Sequence, residues 1–592
     1  MRIRLALGVA GLSWIVAAWI LAAWPCAAAA EGPGGLPAPS NHWKATRPVG
    51  RGLGPVSDAV LRAGANDPGA WLQYGGDYRA WRHSPVKQIT PARASQLRVA
   101  WAFQTGVPGQ LEANPIVYDG ILYLTSAYDR LFALDAVTGE LLWRYDHKNP
   151  SDLVLCCGPA NRGVAIAGDL VLMATLDAHL VAFQRKTGEI VWDSQIIDYK
   201  QGYSATAAPL VVGDLAVIGV GGGEFGIRGF FDAYDLKTGA RRWRHYTVPA
   251  AGEPGAETWA ADSWKSGGAP AWATGSYDVE TGTLFWGAGN PSPDFNGDVR
   301  QGDNLYSDSV LAIDPSTGAR KWHFQFTPHD QWDYDGNSDL FLIDLALGGQ
   351  KRKVIAQPNR NGYFYLIDRS DGRFLRATPY VEKLNWGTIG ADGRPTVDPA
   401  RVPVAEPAEP QLVCPGLAGG KNAAYAAAYS PQTGLAYVPV IESCQKYKKG
   451  LATFVQGIPF MGGEFTMTDQ LEGKAWGSLT AVDVTTGAVR WRHKDPHPMM
   501  AGALSTAGGV VFTGDADGFV LALDARTGKE LWRFRTGSGI RSQPVAYEID
   551  GEAFVAVGSG GGGIVQDLVG NEGALPQGST LFVFTLPKAA KK

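Results

Sequence analysis

One eleven-residue phrase, Ala-x-Asp-x-x-Thr-Gly-x-x-x-Trp, recurs along this 592-residue chain and restricts its fold more than any other feature. Copies end at Trp143 (ALDAVTGELLW), Trp192 (AFQRKTGEIVW), Trp243 (AYDLKTGARRW), Trp322 (AIDPSTGARKW), Trp491 (AVDVTTGAVRW) and Trp532 (ALDARTGKELW). A worn copy, LIDRSDGRFLR, occupies residues 366–376. An internal repeat of about fifty residues means that one supersecondary unit is stacked or arrayed many times. Alternating apolar residues ahead of the Asp make a strand. The Asp side chain can cap the turn, Gly accepts a positive φ there, and Trp then packs on a neighbouring sheet. Segments such as GILYLTSAYDRLFALD (120–135) and GVVFTGDADGFVLALD (509–524) read as strand, turn and strand leading into the phrase.

The intervals Trp143 to Trp192 to Trp243 suit a four-stranded antiparallel blade with its loops. Seven visible copies, and a gap between 376 and 491 wide enough for another, predict an all-β, eight-bladed β-propeller whose tryptophans dock each blade on the next. A β-solenoid or a row of sandwiches is the competing architecture, but neither needs one Trp per sheet. The 76 Gly, 37 Pro and 20 Trp agree with short strands, many tight turns and large buried anchors. The expected domain is a single propeller over 71–588, preceded by a Pro/Gly-rich arm at 31–70. A formal charge of −4 leaves no basic stripe for nucleic acid.

Residues 1–30 read as a signal peptide. Arg2 and Arg4 precede an apolar run from Leu5 to Trp24, and Ala27–Ala30 offers small residues for cleavage near Ala30. An uncleaved anchor is the alternative. The expected location is the periplasm. Of five cysteines, Cys26 leaves with the leader, and Cys156, Cys157, Cys414 and Cys444 form an even set for an oxidising compartment. Four cysteines allow three connectivities. A bond between the neighbours Cys156 and Cys157 would give a flat, rigid, polarisable surface, although adjacent cysteines more often pair with distant partners. No CxxCH occurs, so no c-type haem is expected.

A propeller alone implies no chemistry, which must come from particular residues. GVGGGEFGIRG sets Glu224 behind three glycines, where backbone can approach a ligand closely. GAGNPSPDF places Asn290 before a proline, and TPHDQWDYDGNSD places Asp333 and Asp335 in one turn with Asp330 and Asp339 nearby. Each could be an ordinary solvated loop group; together they offer hard oxygen ligands of the kind Ca²⁺ or a larger, more highly charged cation takes. No Cys/His spacing suggests zinc and no GxSxG suggests a hydrolase serine. GSGGGG near residue 560 follows a strand but opens no helix, so it reads as a turn rather than a dinucleotide loop.

From WLQYGGDYRAWRHSP at residue 71 to beyond Gly563, with GQLEANPI, CCGPANRG, TAAPLVV, GGAPAW, GAGNPSPD, DQWDYDG, PNRNGYFYLIDR and GGKN between, the chain resembles the PQQ-dependent alcohol dehydrogenases, bacterial methanol and ethanol dehydrogenases. The resemblance implies a vicinal Cys156–Cys157 disulfide on one face of the quinone and Trp272 on the other. It implies that Glu112, Arg162 and Thr206 bind the carboxylates and edges of PQQ, with Gly222, Gly223 and Asn422 also beside the cofactor. Glu224, Asn290 and Asp333 match the metal ligands. Asp333 also matches the catalytic base, and Arg360 the arginine at the quinone oxygen. Electrons are then expected to pass to a soluble cytochrome c; a homodimer stays open.

Asp335 sharpens the expectation. Calcium-type members carry a small or neutral residue two places after the catalytic Asp, and lanthanide-type members a second Asp, as in DYDG here. The implied cofactors are PQQ and one lanthanide(III) ion, with calcium as the alternative. GQLEANPI resembles the ethanol-type subgroup, so a broad primary-alcohol substrate is expected. A polyol or sugar dehydrogenase is the alternative enzyme, and a non-catalytic propeller scaffold the alternative of another class. The chain departs from its relatives at Gly221, where many have Ser, at Ala423-Ala424, where many have Trp after the Asn, and near Gly560–Gln566, where no tryptophan covers the cofactor. These departures bear on substrate size.

Overall fold

The computed structural model describes residues 50–107, 109–466, 475–562 and 577–588. The leader at 1–30, with Cys26, and the arm up to residue 49 lie outside the described residues, as does most of the stretch beyond Gly562.

Eight four-stranded antiparallel blades follow one another around an axis. Blades 1 to 7 span residues 116–146, 164–195, 210–246, 276–325, 341–379, 428–495 and 504–535. Blade 8 takes three strands from 545–585 and its outermost strand, Arg98–Gln104, from the other end of the chain. That strand closes the ring by joining segments from the two ends of the propeller in one blade. A short strand, His83–Ser84, adds to blade 7 in parallel.

The repeated phrase does what its residue types require. Asp135 accepts hydrogen bonds from the backbone N–H groups of Val137 (3.0 Å) and Thr138 (2.9 Å), closing the turn that brings in the outer strand. The turn glycine has positive φ, and the Trp of the preceding blade lies flat against it. A Cβ on Gly188 would fall 2.6 Å from the Trp143 ring, one on Gly239 2.7 Å from Trp192, and one on Gly318 2.8 Å from Trp243. Three of the indole N–H groups also donate across the joint, Trp143 to the Arg185 carbonyl at 3.0 Å, Trp192 to the Leu236 carbonyl at 3.0 Å and Trp243 to the Pro315 carbonyl at 2.8 Å. Glycine is thus required twice, for conformation and for room.

The gap between 376 and 491 does not hold the eighth copy. It contains blade 6, whose own phrase ends at Trp491, and irregular insertions with two small hairpins, Gly387–Ile389 with Pro395–Val397 and Tyr447–Lys449 with Gly463–Phe465. The eighth docking residue is Trp101, which stacks on Gly139 of blade 1. In the worn copy Arg376 stands where Trp is expected and replaces the indole donor with two hydrogen bonds, to the Thr485 (2.6 Å) and Val484 (2.7 Å) carbonyls of blade 6.

Part of the expected arm is anchored. Helix Asp58–Ala63 is capped by Ser57, and Val56 pairs with Gly168 of blade 2. Cys156 is paired with Cys157, and Cys414 with Cys444. Among the described residues no helix is long and apolar enough to cross a membrane.

Candidate active site

In a meander of four strands, the loop between the second and third strands and the linker to the next blade emerge on the same face. Every site residue expected from the sequence lies in one of these two kinds of segment. Glu224, with Gly222 and Gly223, Asn290 and Arg360 follow the second strands of blades 3, 4 and 5, and the others lie in the linkers. The periodicity of the fold therefore gathers residues spread over more than three hundred positions at one end of the axis.

They line one cavity. Glu112, Cys156, Cys157, Arg162, Thr206, Gly222, Trp272, Asn422, Glu224, Asn290, Asp333, Asp335 and Arg360 all reach its wall. Gly223 does not. It is buried one layer back, its carbonyl accepts a hydrogen bond from the Ser292 hydroxyl, and a Cβ there would meet Pro270 at 3.0 Å. The tight turn 222–226 needs it; the cavity does not touch it.

At one end of the cavity Arg162 bridges Glu112 (2.9 Å) and the Thr206 hydroxyl (2.7 Å), with its guanidinium 5.0 Å from the centre of the Trp272 ring. Trp272 and the Cys156–Cys157 pair line the same space, and Gln110 holds the cysteine loop through the Cys157 carbonyl at 3.3 Å. An indole and a bridged cysteine pair on one slot suit a flat aromatic ligand, and the guanidinium suits a carboxylate on its edge.

The other end is strongly acidic. Arg360 contacts Asp333 at 3.1 Å and Asp335 at 3.0 Å, and also donates to the Asp333 backbone carbonyl at 2.6 Å. Asp335 further accepts from the Asn290 backbone N–H at 3.1 Å and from the Trp272 indole at 3.4 Å. Glu224 lies 3.9 Å from the Cys157 sulfur. Both Asp333 and Asp335 sit at positive φ, 61° and 60°, which turns the two side chains of one short loop inward. Asp330 secures that loop by accepting from the backbone N–H groups of Trp332 (2.9 Å) and Tyr334 (2.7 Å).

Burial pushes the Asp333 carboxyl well above the usual range. Arg360 opposes the shift, and Asp335, Asp294 and Glu224 add to it. Burial also raises Glu224, with Asp335 acting in the same direction. Burial opposes the charge on Arg360, yet Asp333 and Asp335 hold its pKa above the ordinary value. Behind this wall lie Asp294 and Asp308, both buried and both driven up first by desolvation and then by neighbouring carboxylates. Among the described residues, both oxygens of Asp308, one oxygen of Asp294 and the amide nitrogen of Asn290 lack a hydrogen-bond partner. Six carboxylates, those of Glu224, Asp294, Asp308, Asp330, Asp333 and Asp335, thus face two guanidiniums, Arg300 and Arg360. Fully ionised, the group carries −4. Glu224, Asn290, Asp333 and Asp335 offer oxygen atoms on the cavity wall that could serve a hard cation, while the tightest group of ligand atoms among the described residues is Glu224 with Cys156 and Cys157, all within 4.8 Å of one another.

Of the other residues named in that region, Asp339 faces away from the acidic end and pairs with buried Lys421. Gly221 lines the cavity, and a Cβ there would lie 3.1 Å from the Ser204 hydroxyl, so Ser204 supplies the hydroxyl at this point of the wall. Ala424 and Tyr425 form part of the wall beyond Asn422. Ser204 and Tyr425 escaped the sequence reading because nothing local marks them; Gln110 and Asp294 stood inside quoted motifs without being singled out.

The fold and this site define a quinoprotein alcohol dehydrogenase, and the chain belongs to that family. Its residues 71–381 and 470–555 match the PQQ family described as glucose/ethanol/alcohol dehydrogenase, beta-propeller domain. It is 41% identical to the quinoprotein alcohol dehydrogenase PedH of Pseudomonas putida, over 90% of this chain and 94% of that protein. It is 35% identical to the lanthanide-dependent methanol dehydrogenase of Methylacidiphilum fumariolicum, over 87% of this chain and 88% of the other. Among solved structures it resembles a europium-containing methanol dehydrogenase, with a TM-score of 0.85 and 33% identity, covering 89% of this chain and all of the other.

Proposed function

We propose that this protein is a periplasmic enzyme that oxidises primary alcohols to aldehydes with PQQ and one lanthanide(III) ion, and passes the electrons to a cytochrome c. The observation that carries the metal assignment is the second aspartate. Asp335 is 3% exposed and lines the cavity with Glu224 and Asp333, and it belongs to a group whose charge, −4 when fully ionised, a trivalent ion reduces to −1 and calcium only to −2.

When bound, the quinone supplies the hydride acceptor and the cation supplies Lewis acidity. The chain's own residues do the rest. Arg162 and Thr206 hold an anionic edge of the ligand, and Trp272 with the cysteine pair fixes its plane and keeps water off it. Asp333 accepts the hydroxyl proton of the alcohol as hydride leaves the carbinol carbon. A cation beside Asp333 lowers its raised pKa and keeps it ionised for that role. Arg360 fixes the Asp333 carboxylate by its 3.1 Å contact. Val154, Leu155, Phe225 and Leu417 give the cavity an apolar side that favours an alcohol with a hydrocarbon body over a polyol.

The test is reconstitution. Purified apoprotein is given PQQ with either La³⁺ or Ca²⁺, and dye-linked oxidation of ethanol, 1-butanol, glycerol and glucose is followed. Activity with La³⁺ on the monoalcohols is expected. Activity with Ca²⁺ alone would overturn the metal assignment, and preference for glycerol or glucose would overturn the substrate class.

A further inference from the structure

Arg541 lies in the linker between blades 7 and 8 and belongs to none of the motifs discussed above. Its side chain is buried, with the residue 1% exposed. One terminal nitrogen donates to the Tyr425 hydroxyl, and Nε lies 4.0 Å from Glu112 Oε1. Nε and Nη1 have no hydrogen-bond partner among the described residues. A buried guanidinium with two unused donors is costly unless something supplies acceptors.

The repeat places this residue at the cavity end of its blade, where it stands behind the lining residues Glu112 and Tyr425. Glu112, Thr206 and Trp272 each stand four positions ahead of the first strand of their blade, Ile116–Tyr118, Leu210–Val212 and Ser276–Asp278, and all three line the cavity. Arg541 stands four positions ahead of Val545–Ile549, the first strand of blade 8. Both of its polar neighbours, Glu112 and Tyr425, are cavity-lining residues. At this end of the cavity Arg162 and Arg541 share the single carboxylate of Glu112, which leaves one positive charge without a partner.

We infer that Arg541 is a second cationic residue of the cofactor site, completing with Arg162 a cradle for the carboxylates of an anionic ligand. The inference rests on the functional reading above. Glu112 then spaces the two guanidiniums, and a ligand carboxylate satisfies the charge and the free donors together.

The experiment is titration of the La³⁺-loaded apoprotein with PQQ, read by quenching of tryptophan fluorescence, alongside a titration with the PQQ trimethyl ester, which keeps the ring and lacks the charges. Arg541→Met is expected to weaken PQQ binding by about ten- to hundredfold, the worth of a charge-assisted hydrogen bond, and to change ester binding by less than about threefold. Arg541→Lys keeps the charge without the fork and should fall between. Unchanged PQQ affinity in Arg541→Met would overturn the inference, as would equal losses for PQQ and its ester, which would mean that Arg541 only supports the wall. If Arg541→Met fails to fold, Arg541→Lys decides: affinity equal to that of the wild type, or equal losses for both ligands, overturns the inference. Failure of the wild-type protein to bind PQQ at all would instead remove the functional reading.

Discussion

Replacing Asp335 by Asn removes one carboxylate charge and keeps an oxygen acceptor for the Asn290 backbone N–H and the Trp272 indole. Two unit charges about 4 Å apart at an effective dielectric of 20 interact by roughly 4 kcal/mol. A trivalent ion has one more unit of charge than calcium, so it loses about 4 kcal/mol more from this substitution, a shift of roughly a thousandfold in relative affinity. Screening by Arg360, 3.0 Å from Asp335, reduces this figure, so a shift of at least tenfold is the conservative expectation. The assay is direct titration of wild-type and Asp335→Asn apoproteins with La³⁺ and Ca²⁺ by calorimetry, with dye-linked turnover measured in parallel. La³⁺ affinity should fall much further than Ca²⁺ affinity, with the fold retained. An unchanged La³⁺-to-Ca²⁺ ratio would show that the second aspartate does not select for charge.

Three further outcomes follow. Trp243→Ala removes the indole that seals blade 3 against blade 4 at Gly318, and should cost about 3–5 kcal/mol in chemical denaturation. Loss of Asp330, which ties the backbone of Trp332 and Tyr334, should lower kcat more than it changes alcohol KM; Asp330→Ala tests this, and the circular dichroism spectrum should be unchanged. Burial, then Asp495 and Asp517, push Asp515 up from 3.8 to about 7. The folded state therefore binds this proton more tightly than the unfolded chain does, so its stabilising contribution is full below pH 4 and is lost as pH rises to about 7. By linkage the loss is up to about 4 kcal/mol. Asp515→Asn should raise Tm relative to wild type at pH 8 and much less at pH 4, and a pH-independent difference would refute the assignment.

The repeat made seven blades legible because each carries its own turn in one continuous segment, followed in six of them by the docking Trp. The eighth could not be read that way. Its outer strand, Arg98–Gln104, and the strand it pairs with, Thr580–Thr585, lie at opposite ends of the chain, so no Asp-x-x-Thr-Gly turn joins them and Trp101 has no phrase in front of it. Arg376 shows a second limit: a guanidinium does the indole's work across the joint, and a motif built on tryptophan does not foresee it. The cavity wall was legible through the ordered motifs, with Gly223 the exception, since adjacent glycines in a tight turn cannot all face one way. Asp308 and Arg541 were invisible because their significance is tertiary. One is an acid in an otherwise ordinary strand-start sequence, the other an arginine in a linker, and only burial with polar atoms left unpaired among the described residues sets them apart.

The most direct test is a crystal of the protein loaded with PQQ and La³⁺, with anomalous scattering used to locate the ion. The account predicts a single strong peak within coordinating distance of Glu224, Asn290, Asp333 and Asp335, beside a quinone ring lying between Trp272 and the Cys156–Cys157 pair. An ion bound elsewhere, or a ring that leaves Trp272 and the cysteines uncovered, would contradict it.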